Sequence, residues 1–273
     1  MRIAVSRDGK TVEEPRRIET PVNDFEEGIR RIVSAARELA GGEKITAAAG
    51  GVAGPFDASH TTLLSSPHIL AWAGKPLRES LEKELGVSVY LENDTALVGL
   101  GEATVGAGVG FSIVAYITVS TGVGGVRIVS GSMDKNAFGF EVGHQIVDAG
   151  DSLGGVSCSQ CGHKGELESF ISGTAFTKKY NKKPNEVMDP AVWNQAARIL
   201  AYGLYNTILH WSPHVVVLGG PMMVGNPAIP FDAVETNLTQ LMKIFPTLPV
   251  LKKAELGDVG GLHGALAYVQ KKL

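Results

Sequence analysis

Asn93 and Asp94 stand side by side in LENDTALVGLGE, after the β-branched and aromatic run Val87-Ser88-Val89-Tyr90 and before a small-residue stretch of helical composition. Such a pair has two uses. Asp94 can accept from the free N–H groups at the start of a helix, or its carboxylate can take a proton from a substrate hydroxyl as a general base. Three further segments put polar groups or bare backbone at the ends of apolar strands: GGVAGP (50–55), STGVGG (120–125) and FEVGH (140–144). In open α/β sheets, strand ends are where ligands bind. STGVGG combines the hydroxyls of Ser120 and Thr121 with Gly122, Gly124 and Gly125, so its N–H groups can line an anion-binding concavity; a hairpin turn has the same composition. Glu141 and His144 lie three apart, and Cys158, Cys161 and His163 follow. Thiols and imidazoles so grouped are a zinc-ligand set or, alternatively, a pair of free thiols beside ordinary histidines.

The elements that must position these groups are legible as an α/β alternation. Residues 2–6 and a second extended piece reaching Thr20 suggest a hairpin about Gly9. Asn23 or Asp24 caps a helix in which Phe25, Ile29, Ile32, Val33, Ala36 and Leu39 recur at helical spacing until Gly41-Gly42. A buried strand over 44–49 enters the glycine-rich turn GGVAGP, and a helix runs from Pro76 to Gly86. A strand over 87–91 and the Asp94 helix follow. FSIVAYITVS is a long apolar strand, STGVGG a turn into a second one, and residues 131–173 an irregular, polar, Gly-rich section. The helix 190–211 is apolar around most of its circumference and is expected to lie between layers. HVVVLGGP then reads as a strand ending in a Gly-Gly turn, before a helix over 231–244, a strand over 249–253 and a last helix after Gly260. The boundary between two lobes is expected near 106–110, giving domains 1–108 and 109–273, with the last helix packing back on the first lobe.

At 273 residues and 44% hydrophobic content the chain can bury a sizeable core. Its net charge of −3, without a Lys/Arg stripe, argues against nucleic acid as a partner. No apolar run has the length of a membrane span, and MRIAVSRDGK lacks the apolar stretch of a signal peptide. A cytoplasmic protein that binds no membrane is expected.

In order along the chain, SSPHILAWAGKPLRESLEKELGVSVYLENDTALVGLGE, TVSTGVGGV, FGFEVGH, CGHKGELE and VVVLGGP resemble the successive motifs of the ROK family of sugar kinases and related repressors. The resemblance covers nearly the whole chain from Lys44. It implies the two-lobed α/β fold of actin-like ATPases (ribonuclease H-like) around a central cleft, with a small-molecule sugar and Mg2+-ATP as ligands and a homodimer as the assembly. The implied activity is ATP-dependent phosphorylation of a hexose or N-acylated amino sugar. By the same resemblance Asp94 is the general base; Gly54, His68, Asn93, Glu141, His144 and Glu168 meet the sugar; Ser120, Thr121 and Gly122 meet the phosphates; and Gly219 and Gly220 lie near the adenosine. His68 stands where the family's sugar loop usually has Asn. The family's zinc pattern falls on His144, Cys158 and Cys161, with Glu166 standing where the family has a third cysteine, and Zn2+ is an expected cofactor of that set.

Family kinases open with a strand and an Asp-x-Gly-Gly-Thr phosphate loop. MRIAVSRDGK resembles the second strand of that lobe, so the expectation is a first lobe without its first strand. Two functions compete on this basis: a sugar kinase, and a catalytically weak ROK-like sugar-binding or regulatory protein that does not use ATP normally. A DNA-binding repressor is disfavoured by the acidic charge.

Overall fold

The computed structural model describes residues 1–66, 69–158 and 161–273. The chain divides into two compact units, Met1–Val105 with Lys135–Gly139 and Asp258–Leu273, and Gly106–Asp134 with Phe140–Gly257.

The first unit begins with β1 (Arg2–Ile3) paired antiparallel with β2 (Arg16–Arg17). The expected hairpin is thus much shorter than residues 2–20. Pro15, which has no N–H to give a ladder, precedes β2, and Asp8 instead organises the turn by accepting from the Lys10 and Thr11 N–H groups and the Thr11 hydroxyl. Helix α1 (Phe25–Ala40) has the bounds its sequence dictates. Asp24 accepts from the Glu27 N–H at 2.9 Å, and Gly41 ends the helix in the left-handed region at φ 60°. Its buried Phe25, Ile29 and Val33 share a core with Trp72, Leu77, Leu81, Val89 and Leu91.

Strand β3 (Ala47–Val52) leads to α2 (Leu77–Leu85) and then β4 (Ser88–Asn93), which pairs with β3 in parallel from Ala47↔Ser88 to Val52↔Asn93. This corrects the expected strand over 44–49. Gly50 and Gly51 belong to the strand, and the reason is tertiary: a Cβ on Gly51 would lie 3.0 Å from the Asp94 Cα and 3.1 Å from the Leu97 side chain. Helix α3 (Asp94–Val105) continues directly from β4.

The second unit is built on a mixed five-stranded sheet. The hairpin β5 (Ile113–Val119) and β6 (Val123–Val129) closes through Ser120-Thr121-Gly122, and β7 (Ser132–Met133) edges it. After α4 (Glu168–Ile171), a short helix within the section expected to be irregular, and α5 (Gly173–Tyr180), a second unforeseen helix at its end, α6 (Pro190–Trp211) has the predicted bounds. Pro190 occupies its first turn and Asp189 caps it. Next come β8 (Val215–Gly219), α7 (Pro221–Val224), α8 (Phe231–Leu241) and β9 (Val250–Lys253). Helix α8 stops before the expected Ile244, which is 68% exposed and has no core to join. The sheet order is β7-β6-β5-β8-β9, with β8 parallel to both β5 and β9. Every residue of β8 is buried, as a parallel strand covered on both faces requires. Ala197, Leu200, Leu204 and Ile208 of α6 fill the core beside Ile117 and Leu218.

Helix α9 (Gly260–Gln270) belongs to the first unit, where it packs on α3 and β3. Glycines make this contact close: a Cβ on Gly264 would lie 1.7 Å from the Leu97 carbonyl oxygen, and one on Gly101 2.3 Å from that of Gly260. Backbone cannot yield as a side-chain tip can. Gly264→Ala is therefore expected to destabilise the protein by about 1–3 kcal/mol, read as a lower urea midpoint at unchanged slope; an unchanged midpoint would show that the helices separate freely. Among the described residues, no helix is long and apolar enough to cross a membrane.

Candidate active site and metal centre

In the first unit, the junction of β4 and α3 settles which residue caps the helix. Asn93, the last residue of β4, accepts from the Ala96 N–H at 3.2 Å through its side-chain oxygen, whereas Asp94 Oδ1 accepts from the adjacent Thr95 N–H at 2.8 Å. Of the two uses open to Asp94, capping α3 falls to the neighbouring amide, and Asp94 is exposed at the first turn. A carboxylate there also benefits from the positive end of the helix dipole. Asn93 reaches the Gly54 loop as well, its Nδ2 lying 3.4 Å from the Gly54 carbonyl oxygen. Gly54 has φ 128°, and a Cβ on it would meet the Ser65 carbonyl oxygen at 2.1 Å, so only glycine fits.

The same loop is held by Asp57, which accepts from the N–H groups of Thr61 and Thr62 and the hydroxyls of Ser59 and Thr61. The Thr61 hydroxyl, with the Thr62 N–H, keeps this carboxyl well below the usual range. His60, at φ 52°, stacks on Phe56 at 5.9 Å and lies 3.5 Å from Glu92. His68, expected to meet the sugar, lies outside the described residues.

In the second unit Glu141, His144 and Glu168 come together. The His144 Nε2 is 3.9 Å from Glu141, and both residues feel the Glu168 charge. Desolvation pushes the Glu141 carboxyl up, with His144 opposing and Glu168 adding; its side chain is 66% exposed, so water screens much of that effect. The phosphate-loop candidates form the β5–β6 turn. There the Ser120 and Thr121 carbonyls accept from the Gly173 and Thr174 N–H groups of α5, and Glu168 Oε2 accepts from the Val123 N–H at 2.8 Å. Sequence reasoning missed both links, since neither α4 nor α5 was foreseen. Gly219 and Gly220 end β8, where a Cβ on the first would lie 2.6 Å from the Tyr116 hydroxyl and on the second 2.3 Å from the Val119 carbonyl oxygen. Their identity has a packing cause in β5.

The expected metal set also converges. Ligand atoms of His144, Cys158, Cys161 and Glu166 all lie within 4.8 Å of one another. His144 Nδ1 is 3.0 Å from Glu166 Oε2 and 3.9 Å from the Cys158 sulfur, and Cys161 Sγ donates to Glu166 Oε1 at 3.0 Å. The two ring nitrogens of His144 thus face different groups, Nδ1 toward this set and Nε2 toward Glu141. Glu166 is only 2% exposed on its side chain. His163 lies 3.5 Å from Glu166 on the exposed side.

The charges of this cluster need protons or a cation. Burial disfavours the His144 imidazolium, but the hydrogen bond and charge of Glu166, with Glu168 and Glu141, outweigh it and raise its pKa. Glu166, accepting from the Cys161 thiol, pushes that thiol up to about 11. Two sulfurs, an imidazole and a carboxylate are donor types that zinc takes, and its ligands bind deprotonated.

A model described as the ROK family matches residues 1–272. A glucokinase of Thermotoga maritima is 34% identical over 300 residues, spanning 98% of this chain and 93% of its own length. An N-acetyl-D-glucosamine kinase of Pasteurella multocida is 28% identical over 295 residues, covering 99% and 96%. The crystal structure of a ROK hexokinase from Thermus thermophilus superposes with a TM-score of 0.81 at 30% identity, covering 97% of this chain and 93% of that one.

Proposed function

Because this chain belongs to the ROK family, we propose that it is a sugar kinase, transferring the γ-phosphoryl group of ATP to a hydroxyl of a hexose or an N-acylated amino sugar, with Asp94 as the general base. The observation that carries the reading is the division of labour at the β4–α3 junction. Asn93 caps the helix, and the neighbouring Asp94, exposed at the first turn, accepts the Thr95 N–H through Oδ1. Phosphoryl transfer depends chiefly on alignment and charge stabilisation, so one ionised carboxylate within reach of one hydroxyl suffices as base.

For sugar hydroxyls the first unit offers Asn93 and the Gly54 loop, and the second unit offers Glu141, His144 and Glu168. Carboxylates accept from hydroxyls and an amide both accepts and donates, which suits a polyol. The Ser120-Thr121-Gly122 turn binds the nucleotide phosphates. Its Ser120 and Thr121 carbonyls accept from α5 and its Gly122 carbonyl accepts from the Ser120 N–H, and none of these bonds uses the Thr121 or Gly122 N–H group. Mg2+ accompanies the nucleotide, and Gly219-Gly220 borders the adenosine. The names of the relatives, a glucokinase and an N-acetyl-D-glucosamine kinase, support both sugar classes.

His144, Cys158, Cys161 and Glu166 would hold zinc. Held by these residues, an ion would join the segment carrying both cysteines to the turn carrying His144, and the His144 Nε2, which faces Glu141, would remain for a sugar hydroxyl.

Coupled ATP turnover over a panel of hexoses and N-acylated amino sugars tests the reading. Turnover is expected with one of these classes and not without sugar. Calorimetric sugar binding with no turnover of any sugar would defeat it in favour of a sugar-binding relative.

A further inference from the structure

Two segments that carry sugar-recognition residues meet at Val123, the residue that follows the phosphate turn. Glu168 Oε2 accepts the Val123 N–H at 2.8 Å. Gly143, between Glu141 and His144, presses on the other side of the same residue: a Cβ there would lie 2.3 Å from the Val123 carbonyl oxygen. Within the turn itself, a Cβ on Gly122 would lie 2.7 Å from Glu168 Oε2. So the carboxylate fills the space that a side chain at 122 would need.

We propose, resting on the kinase reading, that Glu168 is a positioning residue for the phosphate turn. It holds the turn through the Val123 N–H, and Gly122 is glycine to admit this carboxylate. All of these residues lie in one unit. A sugar hydroxyl at Oε1 orders the Glu168 side chain, and with Oε2 on the turn that ordering is passed to the N–H groups facing the nucleotide. Sugar and nucleotide thus bind with a shared coupling free energy, equal in both directions.

The cause assigned to Gly122 separates this proposal from the plain alternative, in which glycine merely lets a phosphate approach. Calorimetric affinity for the Mg2+ complex of a non-hydrolysable ATP analogue, without sugar, is to be measured for wild type, Gly122→Ala, Glu168→Ala and the double variant. Gly122→Ala displaces the carboxylate and is expected to weaken binding on the order of tenfold, the size of one lost charge-assisted hydrogen bond. In the Glu168→Ala background the same change is expected to cost nothing further, because the clash is gone. Multiplying losses would overturn the proposal, since Gly122 would then serve the phosphate directly.

A second readout needs no ligand. Amide exchange of the segment containing Val123 is expected to quicken on the order of tenfold in Glu168→Gln, whose neutral amide is a weaker acceptor than the carboxylate; unchanged exchange would also overturn the proposal. A wild type that binds no nucleotide defeats the kinase reading, while the exchange measurement still decides whether Glu168 holds the turn.

Discussion

Asp94→Asn is expected to lower sugar-dependent ATP turnover by about 10²–10⁴-fold, the range of a lost general base, with KM for the sugar nearly unchanged. The substitution is close to isosteric, and an asparagine oxygen can still accept the Thr95 N–H that Asp94 accepts now. The cap on α3 comes from Asn93 and is untouched, so the melting temperature should hold. What the variant loses is the ability to take up a proton. A kcat equal to that of wild type would remove Asp94 from the chemistry; a collapse of thermal stability would instead reassign it to the scaffold.

The second large effect concerns the metal set. Purified protein is expected to hold zinc in a one-to-one ratio, and Cys158→Ser to lose most of it. Serine does not supply the deprotonated soft donor that thiolate does. With the ion gone, the cluster must again be neutralised by protons within the 4.8 Å that holds four ligand atoms. A loss of about 2–3 kcal/mol is expected, which lowers the melting midpoint by about 5–10 °C in a chain of this size. A chelator should reproduce the shift in wild type and leave the variant unmoved. Glu166→Cys is expected to tighten zinc, since a third thiolate replaces a carboxylate. Metal analysis that finds no zinc, with a chelator-insensitive midpoint, would leave the four residues as a hydrogen-bonded cluster.

Much of the fold was legible because its signals are local. Asp24 and Gly41 bracket α1, and Pro190 with its capping Asp189 starts α6; each boundary is set by residues within one turn of it. The alternation of elements, and hence the α/β class, follows from the same kind of signal. The errors lie where a distant contact decides. Gly50-Gly51 looks like a turn, yet it is strand, because the approach of α3 leaves no room for a side chain at Gly51. The section after Gly131 looked irregular, and the short α4 and α5 within and beside it were missed; neither has an apolar stripe long enough to announce itself. Residue types and motif order named the four residues of the metal set, which lie together. They could not say that Asn93, and not Asp94, takes the capping role, because both are good caps by composition. Nor could they find the bond from Glu168 to Val123, which joins positions 45 apart in sequence.

The glycine-lined contact between α3 and α9 has a temporal consequence. A ribosome delivers the chain from its N-terminal side, so α9 emerges only after every residue of the second unit. Until then the face of α3 around Leu97, buried in the finished molecule, has no neighbour from α9 to cover it. The first unit is therefore completed only after the second unit has been made. Meanwhile the nascent protein carries an uncovered face on α3, the kind of surface on which holding chaperones act.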